Sequence, residues 1–386
     1  MTDAMLVHLP KYLIELELPY NRQVTDQGVA LLPRGLKLLN LARVYHLTDD
    51  AIKNLPRSLT HFVQYNSTRF TDECVPHLPR SLTFLDLSGA SLSNRRLLDL
   101  PPSLTYLELW NCVNITDEGL SSLPNALIFL SLHRNDRISD NGLLDLPKSL
   151  QYLDLTWNRL CTSEGLARLP PLTTLNLSGN QILNDAAMEH LPRSLTRLVL
   201  GSSPDLTDEG LTHLPRGLKY LNLSGTSLLT DKGIPKLPRE LTHLFLHLTE
   251  LLTDDAIPNL PRSITKLDLG HCHELTDRCV PHLPRKLRLF HILSNNHFSD
   301  QCVPYLPRTI ERLELCMNDK LTDECAGHMP PSLTYLNLAS NSLFTTKGVG
   351  LLPSSTQVAI FPIGTFRAAQ MENLRKLVDN QLGIVQ

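Results

Sequence analysis

The 386-residue chain has no apolar run near the length that crosses a bilayer. Its net charge of −3 supplies no general field for nucleic acid or a membrane surface. It has no Gly-rich phosphate loop, no G-x-S-x-G and no H-E-x-x-H. No non-repetitive segment is large enough to carry a catalytic domain, so the chain reads as a non-enzyme that needs no cofactor. There is no compact C-x-x-C pair, so no metal site is expected. No signal-peptide core precedes Thr2, and 42% apolar residues suffice for a continuous core, which together point to a cytoplasmic protein.

What is present is a period. Leu-Pro, replaced once by Met-Pro, recurs with Pro at 10, 33, 56, 79, 101, 124, 147, 170, 192, 215, 238, 261, 284, 307, 330 and 353, in steps of 23 or 22 residues. Sixteen copies predict a solenoid over residues 1–353. Within a unit, L-x-x-L-x-L ends in leucines two apart, as in Leu153 and Leu155, so this half reads as a strand with those leucines in the core. The other half opens on a helix-capping residue, such as Thr116 or Ser139, usually followed by an Asp suited to the positive end of a helix. The following Pro limits that helix to about two turns.

Three residues after the cap, fourteen of sixteen units carry a small residue, for example Gly28, Gly142, Ala256 or Cys325; Met5 and Arg96 are the exceptions. Gly is costly inside a helix, so its recurrence implies close approach to a neighbouring coil. Four of the eight cysteines (Cys74, Cys279, Cys302, Cys325) fill this slot and two (Cys112, Cys272) fill a turn slot, so packing explains them and they are expected to stay reduced.

This grammar resembles the leucine-rich repeat family, in its ribonuclease-inhibitor-like and cysteine-containing branch, whose units also carry L-T-D-x-G-L before L-x-x-L-x-L. The L-P-x-S-L element is also similar to the Leu-Pro-rich repeats of bacterial ubiquitin-ligase effectors and to FNIP-type repeats. The resemblance implies an α/β solenoid, a curved horseshoe of about 16 coils with a parallel sheet on the concave face and short helices on the convex one. It also implies a turn-bonding slot after each strand, filled by Asn21, Asn135, Asn158, Asn180, Asn295, Asn318 and Asn341, or less fully by Ser67, Ser203, Thr226 and Thr249. Val44 and Ala90 cannot bond there, so looser or water-filled turns are expected at those two units. Residues 354–386 read as a capping strand at Val358–Phe361 and an amphipathic helix over 366–382. Nothing comparable covers the first coil, which a partner, further sequence or self-association would protect.

With the repeat absorbing most residues, the concave positions flanking the strand leucines remain. Units four to seven align Phe84, Tyr106, Phe129 and Tyr152 beside Asp86, Glu108 and Asp154, with Trp110, His133 and Trp157 just beyond. Solvent-facing aromatics are costly unless covered, and Trp and Tyr dominate interface hot spots. The plain alternative is that stacked aromatics stabilise adjacent strands. The accompanying carboxylates favour a surface for a protein segment bearing Lys or Arg. A secondary surface gathers His243, Phe245, His247, His271 and His291.

Arg also recurs after Leu-Pro, at 34, 57, 80, 193, 216, 239, 262, 285 and 308. Such a ladder offers an anionic-ligand or nucleic-acid site, but a residue repeated so faithfully is first expected to bond neighbouring carbonyls. The sequence thus points to a non-enzymatic scaffold that binds a protein on its concave face. The alternative that the resemblance implies is a substrate-recognition subunit or host-directed effector of a ubiquitin-ligase system, which would place the chain in a host cytosol.

Overall fold

The structure, a computed structural model, describes residues 1–361 except 67 and 296. The helix expected over 366–382 and the turn residue Ser67 therefore lie outside the described residues. Each period builds one coil, made of a short helical segment, a turn and a three-residue strand, so coil 4 runs from Thr71 to the strand Phe84–Asp86 and coil 12 from Thr253 to Lys266–Asp268. The chain divides into two units, Met1–Leu198 and Val199–Gln386. In the first, the strands of coils 1 to 8, from Glu15–Glu17 to Thr174–Asn176, pair in parallel in chain order. In the second, those of coils 10 to 16 do the same, ending in the expected last strand, Val358–Ile360. The middle residue of nearly every strand is fully buried, as at Leu85, Leu107, Leu267 and Leu313, and its neighbours face outward, as a period of two demands.

The helical segments differ from the uniform short helices expected. In the first unit they are α-helical except at Asp72–His77, whereas from Gly210–His213 to Asp323–His328 they are all 3₁₀. Proline is the main reason. Pro76, Pro235, Pro258, Pro281 and Pro304 occupy the same place in their coils, and a residue without an N–H cannot donate the i→i−4 bond.

The Asp that follows most caps does more than face a helix end. Its carboxylate reaches into the next coil and accepts both the backbone N–H and the hydroxyl of that coil's capping residue. Asp117 takes Ser139 N at 2.7 Å and Ser139 Oγ at 2.6 Å, and the same bonds run from Asp26 to Thr48, Asp140 to Thr162, Asp254 to Thr276 and Asp300 to Thr322. This ladder explains the small-residue slot. A Cβ built on Gly142 would meet Asp117 Oδ1 at 2.6 Å, and one on Gly165 would meet Asp140 Oδ1 at 2.3 Å. The close approach read from the recurrent Gly is therefore an approach to the preceding carboxylate.

The turn-slot asparagines Asn135, Asn158, Asn180, Asn295, Asn318 and Asn341 are fully buried. Each donates Nδ2 to a strand-end carbonyl of the preceding coil, as Asn158 does to Leu132 O at 2.9 Å. The turns at Val44 and Ala90 are not looser. Both residues are buried, and their N–H groups bond Leu41 O and Leu87 O as those of Asn158, Asn180 and Thr226 bond the matching carbonyls, because the turn's own backbone bond does not need the side chain. All eight cysteines are unpaired and buried, and burial pushes the Cys112 and Cys161 thiols up to about 12.

Candidate interaction surface

Registry brings the predicted aromatics together. Tyr106 sits opposite Phe84 on one side and Phe129 on the other, and Phe129 sits opposite Tyr152. Their rings stack nearly parallel, with centroids 4.0, 3.8 and 4.0 Å apart, and His61 extends the pile beyond Phe84 at 5.6 Å. Strand spacing imposes this distance, because parallel strands lie less than 5 Å apart and flat rings at the same register fill the gap. Both faces of Tyr106 and Phe129 are consumed by neighbouring rings. Cations bind ring faces, so these aromatics present edges to solvent and recognition of Lys or Arg falls to the carboxylates.

Those carboxylates have a structural duty that the sequence reading missed. Asp86 Oδ1 accepts Ser88 N at 2.9 Å, and Asp154 Oδ1 accepts Thr156 N at 2.8 Å. Asn40, Asn176, Asn222 and Asn337 make the same bond from the same place in their coils. The interchange of Asp and Asn in this column was the available signal, since an amide serves the turn as well as a carboxylate. The charge at 86 and 154 is therefore additional to the repeat's needs.

Glu108 lies between them in the column and accepts from Tyr106 Oη at 2.7 Å. Burial, with smaller opposing hydrogen bonds from Ser88, holds Asp86 above the usual carboxylate range. Burial likewise raises Glu108, to which the charges of Asp86 and Asp154 add. Among the described residues no Lys or Arg forms an ion pair with Asp86, Glu108 or Asp154.

The tryptophans separate. Trp110 and His133 occupy equivalent places in adjacent coils and meet edge to face at 5.9 Å, and burial lowers the His133 pKa. The Trp110 indole N–H is covered and has no acceptor among the described residues. Trp157 stands one position further on, at φ 59°, and its ring lies where a Cβ on Gly179 would have to be, 2.6 Å from Cδ2. It packs against the next turn rather than joining the Trp110–His133 pair.

In the second unit, His247 and His271 meet edge to face at 4.9 Å, and His291 lies between Asp268 and Glu314. Phe245 carries the Lys266 ammonium 5.1 Å above its ring, while His243 stacks with Tyr220 at 5.9 Å. Among the described residues no three His, Cys, Asp or Glu side chains come together to hold a metal ion. Nor does any helix among them have the length and apolarity to cross a membrane.

Among the described residues six of the nine repeated arginines bond carbonyls, in most cases at the ends of the helical segments. Arg34 donates to Ala30 O and Asn54 O, Arg57 to His77 O, Arg80 to Asp99 O, Arg239 to Pro235 O and Arg262 to Pro258 O. Sequence reasoning also passed over the Ser of L-P-R-S-L, whose hydroxyl reaches two carbonyls of the preceding coil, as Ser81 does to Arg57 O and Leu59 O.

Comparison with known proteins agrees with this architecture. A family model described as "Leucine Rich repeat" matches residues 101–123 and 168–190. No curated protein matches the chain. Among solved structures, the yeast Rad7 and Elc1 complex contains a chain 20% identical, with a TM-score of 0.51 and 87% of this chain and 88% of that one covered. The TLR13–ssRNA13 complex contains one 19% identical, with a TM-score of 0.57; the match covers 95% of this chain and 63% of that one. At these identities the likeness is one of fold. The chain carries leucine-rich repeats and folds as an α/β leucine-rich-repeat solenoid.

Proposed function

We propose that the protein is a non-enzymatic interaction scaffold, and that the open sheet face of coils 4 to 7 binds a partner protein through a segment bearing Lys or Arg. The carrying observation is the column Asp86, Glu108 and Asp154, whose charges the repeat does not require and which no described cation neutralises. Burial disfavours the charged forms of Asp86 and Glu108, so a cation brought by a partner would recover that cost. The stacked rings beside them form a stiff apolar wall, and the covered, acceptor-less Trp110 N–H marks the same end of the face. The Rad7 structure, of the same fold, was solved in complex with a second protein.

The test uses a variant with Asp86→Asn, Glu108→Gln and Asp154→Asn, which keeps the turn bonds and removes the charge. Affinity capture followed by mass spectrometry should recover proteins on the native chain that the variant loses. An identical set retained by both chains sinks the reading.

A further inference from the structure

The open face of the second unit gathers titratable groups that the first-unit site does not use. On the strand Leu289–His291, His291 places Nδ1 3.7 Å from Asp268 Oδ2 and Nε2 3.1 Å from Glu314 Oε1. These acids come from the two flanking strands, Lys266–Asp268 and Arg312–Glu314. His247, after the strand His243–Phe245, sets Nδ1 3.9 Å from Asp268 Oδ1 and its ring edge against His271, which in turn meets exposed His273 at 5.8 Å. The permanent cations of these strands are Lys266, above Phe245, and Arg312, 4.3 Å above the Tyr335 ring; His243 completes the set.

Within these strands the fixed charges are thus two cations and two carboxylates, with the Arg288–Glu311 ion pair bordering them. Histidine ordinarily protonates near pH 6.5, so acidification adds positive charge to strands whose two carboxylates are already matched in number by Lys266 and Arg312. His271 is held below that range by burial first, then by the charges of His247 and His273, so it charges in more acid conditions than an ordinary histidine.

We propose that the open face of coils 11 to 14 is a docking surface for an acidic polypeptide segment, switched on by protonation of His247, His271 and His291. Charge complementarity selects the occupant. A nucleic acid carries a charge at every step and would meet Asp268 and Glu314, whereas a peptide can set neutral residues opposite them. This proposal stands apart from the first-unit reading.

The full chain would be titrated against a labelled peptide alternating aspartate with glycine, with six aspartates, by fluorescence anisotropy at pH 7.5 and pH 5.5. Binding about tenfold tighter at pH 5.5 is expected. A variant carrying His247→Gln, His271→Gln and His291→Gln should show no such gain; if circular dichroism finds it unfolded, each single variant should reduce the ratio. Lys266→Gln should weaken binding at both pH values and leave the ratio unchanged. Equal affinity at the two pH values, or an undiminished gain in the His variants, overturns the proposal. So does a single-stranded oligonucleotide that binds more tightly than the peptide through the same histidines.

Discussion

Asp86 in the first unit and Asp268 in the second occupy the same place in their coils and accept the same turn N–H, from Ser88 and Gly270 respectively, yet their acidities move in opposite directions. Asp86 is raised by burial. Burial also pushes Asp268 up, but His291, the Gly270 N–H and the charges of His291 and His247 together outweigh it, and the net shift is downward. One repeat position thus supports two electrostatic designs, and the difference comes from adjacent coils. The first unit sets aromatic rings and like charge around its carboxylate, while the second sets imidazoles and cations. The backbone is a constant, and the sheet face is where the repeats acquire individuality.

The largest expected effect breaks the ring stack. Tyr106→Ala removes a ring with two stacked neighbours and should cost about 2–3 kcal/mol in urea unfolding. Tyr335→Ala, which removes one cation–π contact with Arg312, should cost about 0.5–1 kcal/mol. Equal losses would erase the distinction between a self-stacked face and one of separate contacts.

Next comes Asp268→Asn, expected to cost about 1 kcal/mol at pH 7. A carboxylate with a depressed folded pKa contributes stability that is present above its unfolded pKa and lost as the pH falls through the folded one. The native chain should therefore lose its advantage over the variant on acidification, in urea titrations from pH 7 to pH 3.

The smallest effect has the opposite sign. Asp86→Asn keeps the bond to Ser88 and discards a charge that burial disfavours, so it should be neutral or stabilising by about 0.5 kcal/mol at pH 7. With the folded pKa raised, the native chain's deficit should shrink as the pH falls through the folded pKa and vanish below the ordinary carboxylate value of the unfolded chain. Destabilisation by more than 1 kcal/mol would mean that the Asp86 charge serves the fold, and would remove it from the proposed partner site.

Much of this molecule was legible in its sequence. The alternation around Leu85 or Leu267, most of the capping residues, though Thr2, Ser93, Thr116 and Asn184 make no side-chain capping bond, the recurrent Gly and the alignment of Phe84, Tyr106, Phe129 and Tyr152 follow from a fixed period and the geometry of parallel strands. Several assignments were not legible, for three physical reasons. Bonds such as Asp117 to Ser139 or Asn158 to Leu132 span 22 and 26 residues, so they appear only when coils are stacked. A proline one residue after Val75 or Val280 converts a helical turn to 3₁₀ through a missing donor, which reading only the Leu-Pro signal overlooks. Trp110 and Trp157 look equivalent by proximity to a strand, but a one-position offset turns one toward His133 and the other onto Gly179.

The sequence by itself determined the period, the strand faces and the column in which each exposed residue stands, because strict repetition leaves one register for the chain. Tertiary structure alone decided which ring faces stay open, which carboxylates are already engaged and which way each is pushed. Those properties depend on the distance and charge of neighbours contributed by other coils.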